Sequence, residues 1–436
     1  MPLASIGLRN FKCFADSADI PLAPLTIIFG RNNSGKSSIL HSLLILKQTL
    51  DSPEYGPRMN LGGRLYQAGA YSDVVHLHRS SQHIVIRLGF SLAGPKPGAI
   101  ELEFSSDEPQ APQLVRLTVD KFLEIRRGRG RGGPYEMVVD GKPMGGERKA
   151  NFAFGVDRFL PLVGDEPSHV GAPSKARARA RRMAKELLEY AGTIFRDLRA
   201  VGAFRPQPER GYDFHGRVPT AVDSAGQYAI QALIEDQTKK GARRNELFRS
   251  VNQWLKVVGN VRLLPVRLVS KAARRFEVRV RDLDSGRWAN FADVGFGIGQ
   301  ALPVLVEGLR TLAEGTFLVQ EPEIHLHPDA QLAMADFLVG LAKTGRRVIA
   351  ETHSEHFLLR VRHLIVSRRR NGRAPGLAPS DVSLVHVAKR PDGQSVVRKL
   401  EIDELGQVKN WPKGFMEEAT DERMAILREM AGGRKA

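Results

Sequence analysis

Leu25-Thr26-Ile27-Ile28-Phe29-Gly30-Arg31-Asn32-Asn33-Ser34-Gly35-Lys36-Ser37-Ser38-Ile39-Leu40 passes from a mostly apolar run through a glycine-bounded loop into a helical pattern. Leu25 to Phe29 reads as a buried strand, and the loop after it has the spacing G-x-x-x-x-G-K-S of a Walker A phosphate cradle. Gly30 and Gly35 let the backbone curl so that its N–H groups face an anion, and the helix opening near Lys36 adds its positive dipole end. The expected nucleotide-binding residues are Gly30, Arg31, Asn32, Asn33, Ser34, Gly35, Lys36, Ser37 and Ser38. Lys36 reaches the β- and γ-phosphates and Ser37 holds Mg²⁺. A Gly-rich turn before an ordinary helix is the plainer alternative. It is outweighed because the whole pattern sits in its required strand-loop-helix context.

The chain around this loop has 436 residues, enough to bury a real core and to form two lobes or domains. Its 42% hydrophobic and 26% charged content is that of a soluble globular protein. No apolar run approaches the ~20 residues that span a membrane. The N-terminus leads straight into Ile6-Gly7-Leu8-Arg9-Asn10-Phe11 without a signal peptide, so the expectation is a cytoplasmic protein with no membrane partner. A single cysteine, Cys13, excludes an internal disulfide framework and a Cys-rich zinc site.

Lys and Arg total 65 against 48 Asp and Glu, a formal charge of +17, which points to a polyanionic partner. Charge spread evenly over solvent would be an alternative, but the basic residues form blocks: Arg126 to Arg131, Lys175 to Lys185 and Arg368-Arg369-Arg370. The second block opens an amphipathic helix expected over Arg177 to Leu198, with Ala184, Leu187, Leu188, Ala191, Ile194, Phe195 and Leu198 on its apolar face. Positive charge at a helix N-terminus is disfavoured by roughly 0.3–1 kcal/mol per group. Plain solvent exposure tolerates such charge, and a phosphate ligand would offset it; on the second reading Arg177, Arg179, Arg181 and Arg182 are candidate nucleic-acid contacts.

Between the loop and that helix, Ile84, Ile86, Leu88, Phe90 and Leu92 alternate as one strand face. Ile100-Leu102-Phe104 and Val115-Leu117-Val119 repeat the period of two, and Tyr135 to Val139 follows. This predicts an antiparallel meander inserted after the phosphate-binding helix, then a Pro/Gly-rich linker over Pro161 to Ser174. Phe276, Val278 and Val280 mark a further half-exposed strand. Gln67, in the turn-rich stretch after the first helix, is a candidate link between lobes.

Further on, Thr316-Phe317-Leu318-Val319 runs into Gln320-Glu321-Pro322-Glu323-Ile324-His325-Leu326-His327-Pro328, and Arg347-Val348-Ile349-Ala350-Glu351-Thr352-His353-Ser354 is a second strand with polar residues at its end. Open α/β sheets bind ligands at such carboxyl ends. Upstream, Asp293-Val294-Gly295-Phe296-Gly297-Ile298-Gly299-Gln300 reads as a Gly-rich loop opening an apolar helix over Ala301 to Leu309.

Behind a Walker A loop, these three segments resemble the ATP-binding-cassette ATPases of the SMC/RecF/overcoming-lysogenization-defect superfamily. The opening Leu8-Arg9-Asn10-Phe11-Lys12-Cys13-Phe14 shares in the likeness, and Leu400 to Phe415 is similar to a C-terminal domain of unknown function on a bacterial subset. The resemblance implies an α/β fold, a P-loop ATPase head with an inserted β-meander and a helical subdomain. The implied segments are 1–80 for the first part of the head, 81–150 for the meander, 151–258 for the helical and linker subdomain, 259–365 for the rest of the head and 366–436 for the C-terminal domain.

The resemblance implies ATP and Mg²⁺ as cofactors, Glu321 as the carboxylate that polarises the attacking water, and His353 as the switch that senses the γ-phosphate. It places Gly297, Gly299 and Gln300 in a signature loop facing the γ-phosphate on the opposite subunit, so that two heads sandwich two ATP molecules. Two departures stand out. The Walker B acid, the residue that helps hold the metal, falls on Gln320, and the signature serine is replaced by Gly297 or Gly299. Either hydrolysis is slow, or the roles shift so that Glu321 serves the metal and Glu323 the water. His325 and His327 are expected to be structural rather than metal ligands.

In function the resemblance implies a DNA-associated ATPase in repair or antiphage defence. After His353 only about 80 residues remain, too few for a fused Toprim-type nuclease, so a nuclease or toxin effector is expected as a separate partner. A non-hydrolysing, ATP-gated scaffold is the alternative, with Gln320 as its mark. A transporter motor fits poorly, because its Walker B run does not continue as Pro-Glu-x-x-Leu-His-Pro.

Overall fold

Phe11 and Phe14 flank the tight turn that folds β1 (Leu3–Phe11) back on β2 (Phe14–Pro21), and both rings are fully buried. In this computed structural model the described residues are 3–54, 56–90, 98–106, 112–120, 122–128, 134–146, 154–163, 175–218, 224–241, 243–371, 376–412 and 418–432. The strand β3 (Leu25–Phe29) leads through the glycine loop into helix α1 (Lys36–Asp51). Then come β4 (Ile84–Phe90), β5 (Gly98–Ser105), β6 (Gln113–Val119), β7 (Leu123–Arg127), β8 (Tyr135–Val139) and β9 (Lys142–Gly146), each antiparallel to the one before.

This is the expected meander, but it is not a free-standing insertion. β1 pairs with β4, so the sheet runs β2-β1-β4-β5-β6-β7-β8-β9 and the N-terminal strands belong to it. The reason lies in the alternation. Ile6 and Leu8 on β1 and Ile84, Ile86 and Leu88 on β4 bury the same face, and together they cover the apolar side of α1 in one core.

The second sheet is mainly parallel. Helix α2 (Lys175–Arg196) leads into β10 (Leu198–Val201), then α3 (Ala229–Thr238), α4 (Glu246–Gly259), α5 (Phe296–Arg310), β11 (Thr316–Gln320), α6 (Pro328–Lys343), β12 (Arg347–Glu351), α7 (Glu355–Asn371), β13 (Val382–Lys389), β14 (Ser395–Ile402) and β15 (Val408–Lys409). Strand order is β10-β11-β12-β3-β13-β14-β15, parallel as far as β13. Both faces of this sheet are covered, as near-continuous apolar strands require. Leu25, Ile27 and Phe29 face the core built with α3 to α7, while Ile28, Leu318 and Ile349 face the core shared with α1 and the antiparallel sheet. The architecture is the expected α/β class, an ATPase head of two joined sheets.

Several expectations shift in detail. The helix expected over Arg177 to Leu198 ends at Arg196, because Leu198 joins the parallel sheet opposite Thr316. The strand through Phe276 and Val280 breaks at Val278, with Arg275–Glu277 pairing to Tyr212–Asp213 and Arg279–Asp282 pairing to Val261–Leu263. Of the linker expected over Pro161 to Ser174, residues 164–174 lie outside the described residues, as do Leu92, Arg129, Arg131 and Lys413 to Phe415. Among the described residues no helix is long and apolar enough to cross a membrane.

The C-terminal segment departs furthest from a separate domain over 366–436. β13 lies directly against β3, and Ser395 Oγ donates to Ser34 O at 2.6 Å, reaching the phosphate loop itself. Trp411 stacks on Phe29 with ring centres 5.8 Å apart. Ending the chain after residue 376 should therefore strip the neighbour from β3 and leave an open edge in the middle of the sheet. We expect such a chain to lose its cooperative thermal transition and to aggregate. A truncated protein that melts at the wild-type temperature would show the segment to be dispensable.

Candidate functional site

The loop after β3 has the conformation its glycines demand. Gly30 sits at φ +152°, and a Cβ there would lie 2.1 Å from Val387 O on β13. Gly35, at φ +102°, would put a Cβ 2.2 Å from Cys13 Sγ. Asn33 takes a left-handed conformation at φ 60°, which Asn tolerates better than most residues. Arg31, Asn32 and Asn33 are exposed, whereas Ser34, Lys36 and Ser38 are buried. Helix α1 starts with no side-chain cap and no acidic residue in its first turn, so its positive dipole end is open to an anion.

Lys36 folds back to donate from Nζ to Arg31 O at 2.9 Å. Burial lowers its pKa, and the carboxylates of Glu351, Glu321 and Glu323 oppose that shift. These three acids reach it from the ends of β11 and β12. The two strands run parallel with Gln320 opposite Glu351, and Ala350 and Glu351 in turn face Ile27 and Ile28 of β3.

Glu351 is 3% exposed. Its Oε1 accepts from Ser37 Oγ at 2.7 Å and its Oε2 from Gln320 Nε2 at 2.8 Å. Burial raises its pKa, opposed by those two hydrogen bonds and by Lys36. The sequence expectation has Gln320 helping to hold a metal. In the structure it donates its amide nitrogen instead, because the neighbouring strand presents a carboxylate opposite it.

Glu321 sits at φ 45°, its N–H donating to Glu351 O at 2.8 Å, and its half-exposed side chain lies 3.8 Å from His353 Nε2. Burial, with Lys36 nearby, lowers the pKa of His353, so the imidazole is neutral at neutral pH. Glu323 is placed differently. It is buried, and its Oε1 accepts from Thr352 Oγ1 at 2.6 Å, His353 N at 2.7 Å and Ser354 N at 3.1 Å. That carboxylate fixes the turn carrying His353, and burial raises its pKa.

The loop expected at Gly297, Gly299 and Gln300 is helical: these residues occupy the first turns of α5, which begins at Phe296. Their residue types answer to packing, since a Cβ on Gly297 would lie 2.6 Å from His325 O, and one on Gly299 2.6 Å from Pro208 Cγ. Gln300 is 2% exposed, so its side chain does not face a second subunit as expected. Gln67 donates to Gly63 O at 2.9 Å and closes a local turn. In the basic block, Arg182 is exposed and lies 3.6 Å from Glu186, and Arg181 is half-buried; the side chains of Arg177 and Arg179 lie outside the described residues.

Two further residues of the site carry little signal in the sequence. Glu351 is visible there only as a glutamate ending an apolar strand two positions before His353. Arg205 is 7% exposed and donates to four backbone carbonyls: Gly202 at 3.0 Å, Gln300 at 3.1 Å, Gln320 at 2.7 Å and Glu321 at 2.8 Å. Burial lowers its pKa to about 10, which still leaves it charged at neutral pH. Its one signal is an arginine in the Pro/aromatic stretch just after a strand.

Residues 1–95 and 175–358 match the family described as AAA ATPase domain. The chain belongs to this family. With membership comes nucleotide binding with a divalent metal. Residues 377–426 match a protein of unknown function, DUF3696, so that match falls on β13 to β15 of the head sheet and beyond. The chain is similar to the OLD nuclease of Thermus scotoductus, 24% identical over 370 residues that cover 81% of this chain and 59% of that protein. It is also 24% identical to the Old nuclease of Escherichia phage P2, over 82% of this chain and 57% of that protein. The chain thus spans under two thirds of the length of these relatives. Among solved structures, the SMC head domain from Thermotoga maritima aligns with TM-score 0.43 and 13% identity, over 92% of this chain and 100% of that one.

Three donors converge on one oxygen of Glu323, so Glu323→Ala should cost about 1–3 kcal/mol of stability by leaving them unpaired. Glu323→Gln keeps an oxygen in place and should cost far less. Chemical denaturation of the two variants beside wild type checks the ordering, and equal losses would count against the role given to that oxygen.

Proposed function

We propose that the chain binds ATP at the Gly30–Ser38 loop, hydrolyses it slowly with Mg²⁺, and dimerises around it as a DNA-associated ATPase with a separate effector. The observation that carries the reading is the convergence of Ser37, Lys36, Glu351, Glu321 and His353 at one edge of the parallel sheet. Loop N–H groups and the start of α1 cradle the phosphates, and Lys36 exchanges Arg31 O for a phosphate oxygen. Bound Mg²⁺ supplies charge neutralisation at the β- and γ-phosphates. Glu321 is half exposed and adjacent to neutral His353, which suits it to orient water, while Glu323 is occupied with its own turn. That favours Glu321 over the shifted register with Glu323 at the water. Gln320, an amide at the Walker B position, supports slow turnover.

The DNA partner is supported by the formal charge of +17 and by the basic start of α2. DNA repair and antiphage defence both fit a nucleotide-gated head of this kind. The two relatives are named nucleases, which supports a nuclease as the effector that acts with this head. A non-hydrolysing scaffold is the second reading, favoured by Gln320 at the Walker B position.

Lys36→Ala should abolish ATP binding in a direct titration. Glu321→Gln should keep binding but stop phosphate release, and ATP should then shift the protein to a dimer in sedimentation. Turnover that survives Glu321→Gln and is lost in Glu323→Gln would support the shifted register instead. No phosphate release by wild type would select the scaffold.

Replacing Arg177, Arg179, Arg181 and Arg182 by Gln should weaken binding to DNA of any sequence and flatten its salt dependence, because phosphate contacts release counterions without reading bases. Affinity across a salt series for both proteins is the measurement. Identical slopes would make this block a solvated face.

A further inference from the structure

We propose that Glu351 is the carboxylate that holds the divalent metal beside Ser37, and that Gln320 has become the hydrogen-bond donor that positions it. The inference rests on the nucleotide reading above and names the metal-holding group of the same site. In a Walker A loop the Ser hydroxyl belongs to the metal. The group lying against that hydroxyl, at 2.7 Å, is Glu351 Oε1 from β12. The other Glu351 oxygen is held by Gln320 Nε2 at 2.8 Å, so both ends of the carboxylate are fixed and its face toward the loop is set.

The residue types suit the metal. Mg²⁺ takes oxygen ligands, keeps several waters and needs only one or two carboxylates besides the substrate phosphates. Among the described residues no group of three or more His, Cys, Asp or Glu could form an all-protein cage, so a hydroxyl with one carboxylate is the donor set of this edge. Lys36 donates to Arg31 O and acts on Glu351 only through its charge, so no hydrogen-bonded ion pair closes this carboxylate off from a metal.

The pairing of β11 with β12 explains the glutamine. Gln320 and Glu351 are direct neighbours across the two strands. An acid at 320 would set a half-buried carboxylate beside the buried one of Glu351, and like charges at such a separation cannot both stay ionised cheaply. Moving the charge one strand closer to β3 leaves one carboxylate in this cross-strand pair. An amide at 320 then serves it better than an acid.

The test is ATP affinity by calorimetry on the full chain, in Mg²⁺ and in EDTA, for wild type, Glu351→Gln and the exchange Gln320→Glu with Glu351→Gln. Wild type should bind more tightly in Mg²⁺ than in EDTA. In Glu351→Gln that ratio should fall by about 10-fold or more, as for lost metal-site groups generally. Its EDTA affinity should hold or improve, because a negative charge near the triphosphate is gone, and this also shows that the variant is folded. The exchange variant should recover metal dependence, and Mn²⁺ bound in the presence of ATP, read by electron paramagnetic resonance, should follow the same order. A Glu351→Gln protein with the full wild-type ratio would overturn the proposal. So would a folded exchange variant that binds ATP equally with and without metal. Wild type that binds no ATP in either buffer would instead remove the nucleotide reading beneath it.

Discussion

The parallel pairing of β12 between β3 and β11 is the constraint on which the rest of this head depends. It brings the end of β12 beside the start of the phosphate loop and the end of β11 beside that of β12, so residues far apart in the chain meet at one edge. Three carboxylates and one lysine are thereby concentrated where solvent is scarce. Such an edge holds together only if each charge has a stated partner. Glu351 has Ser37 and Gln320, Glu323 has the turn of His353, and Lys36 has Arg31 O. Glu321, the half-exposed acid, is left toward the solvent side.

Close approach of backbone is the second constraint, and it links distant segments to the loop. Gly30 can have no side chain because Val387 O occupies the space, and Gly35 none because Cys13 Sγ does. Cys13 comes from the β1–β2 turn and Val387 from β13, so the loop is wedged between the first and the last parts of the fold. Ser395 closes the arrangement through Ser34 O and through its own N–H to Cys13 O at 3.0 Å. The segment matching a domain of unknown function is therefore part of what shapes the phosphate loop.

What could be read in the sequence was what is local. The strand-loop-helix around Gly30, the period of two through β4 to β6 and the apolar strands ending at Gln320 and Glu351 all carry their signal within a few residues. Pairings between distant segments left no such trace. Nothing within Val382–Lys389 announces that it lies against Leu25–Phe29, because a strand buried on both faces has no polar side to betray its neighbour. The same blindness hid Glu351, whose meaning depends on which residue faces it across the sheet. Glycines at 297 and 299 suggested a loop, but they serve helix packing against His325 and Pro208.

Arg205 shows how tightly the remaining part of the edge is coupled. Its guanidinium is buried and carries no acid within salt-bridge reach among the described residues; its charge is met by carbonyl dipoles from Gly202 after β10, Gln300 on α5 and Gln320 and Glu321 at the end of β11. Glu321 is held in a left-handed conformation that a non-glycine residue adopts only when its surroundings impose it. The arginine is one of those surroundings, since it binds the carbonyl of Glu321 itself. If α5 shifted while β11 stayed, the buried guanidinium would lose its hydrogen bond to Gln300 O, worth about 1.5–3 kcal/mol for a charged donor. The helix that begins at Phe296 and the carbonyl of Glu321 are therefore tied to the same buried donor.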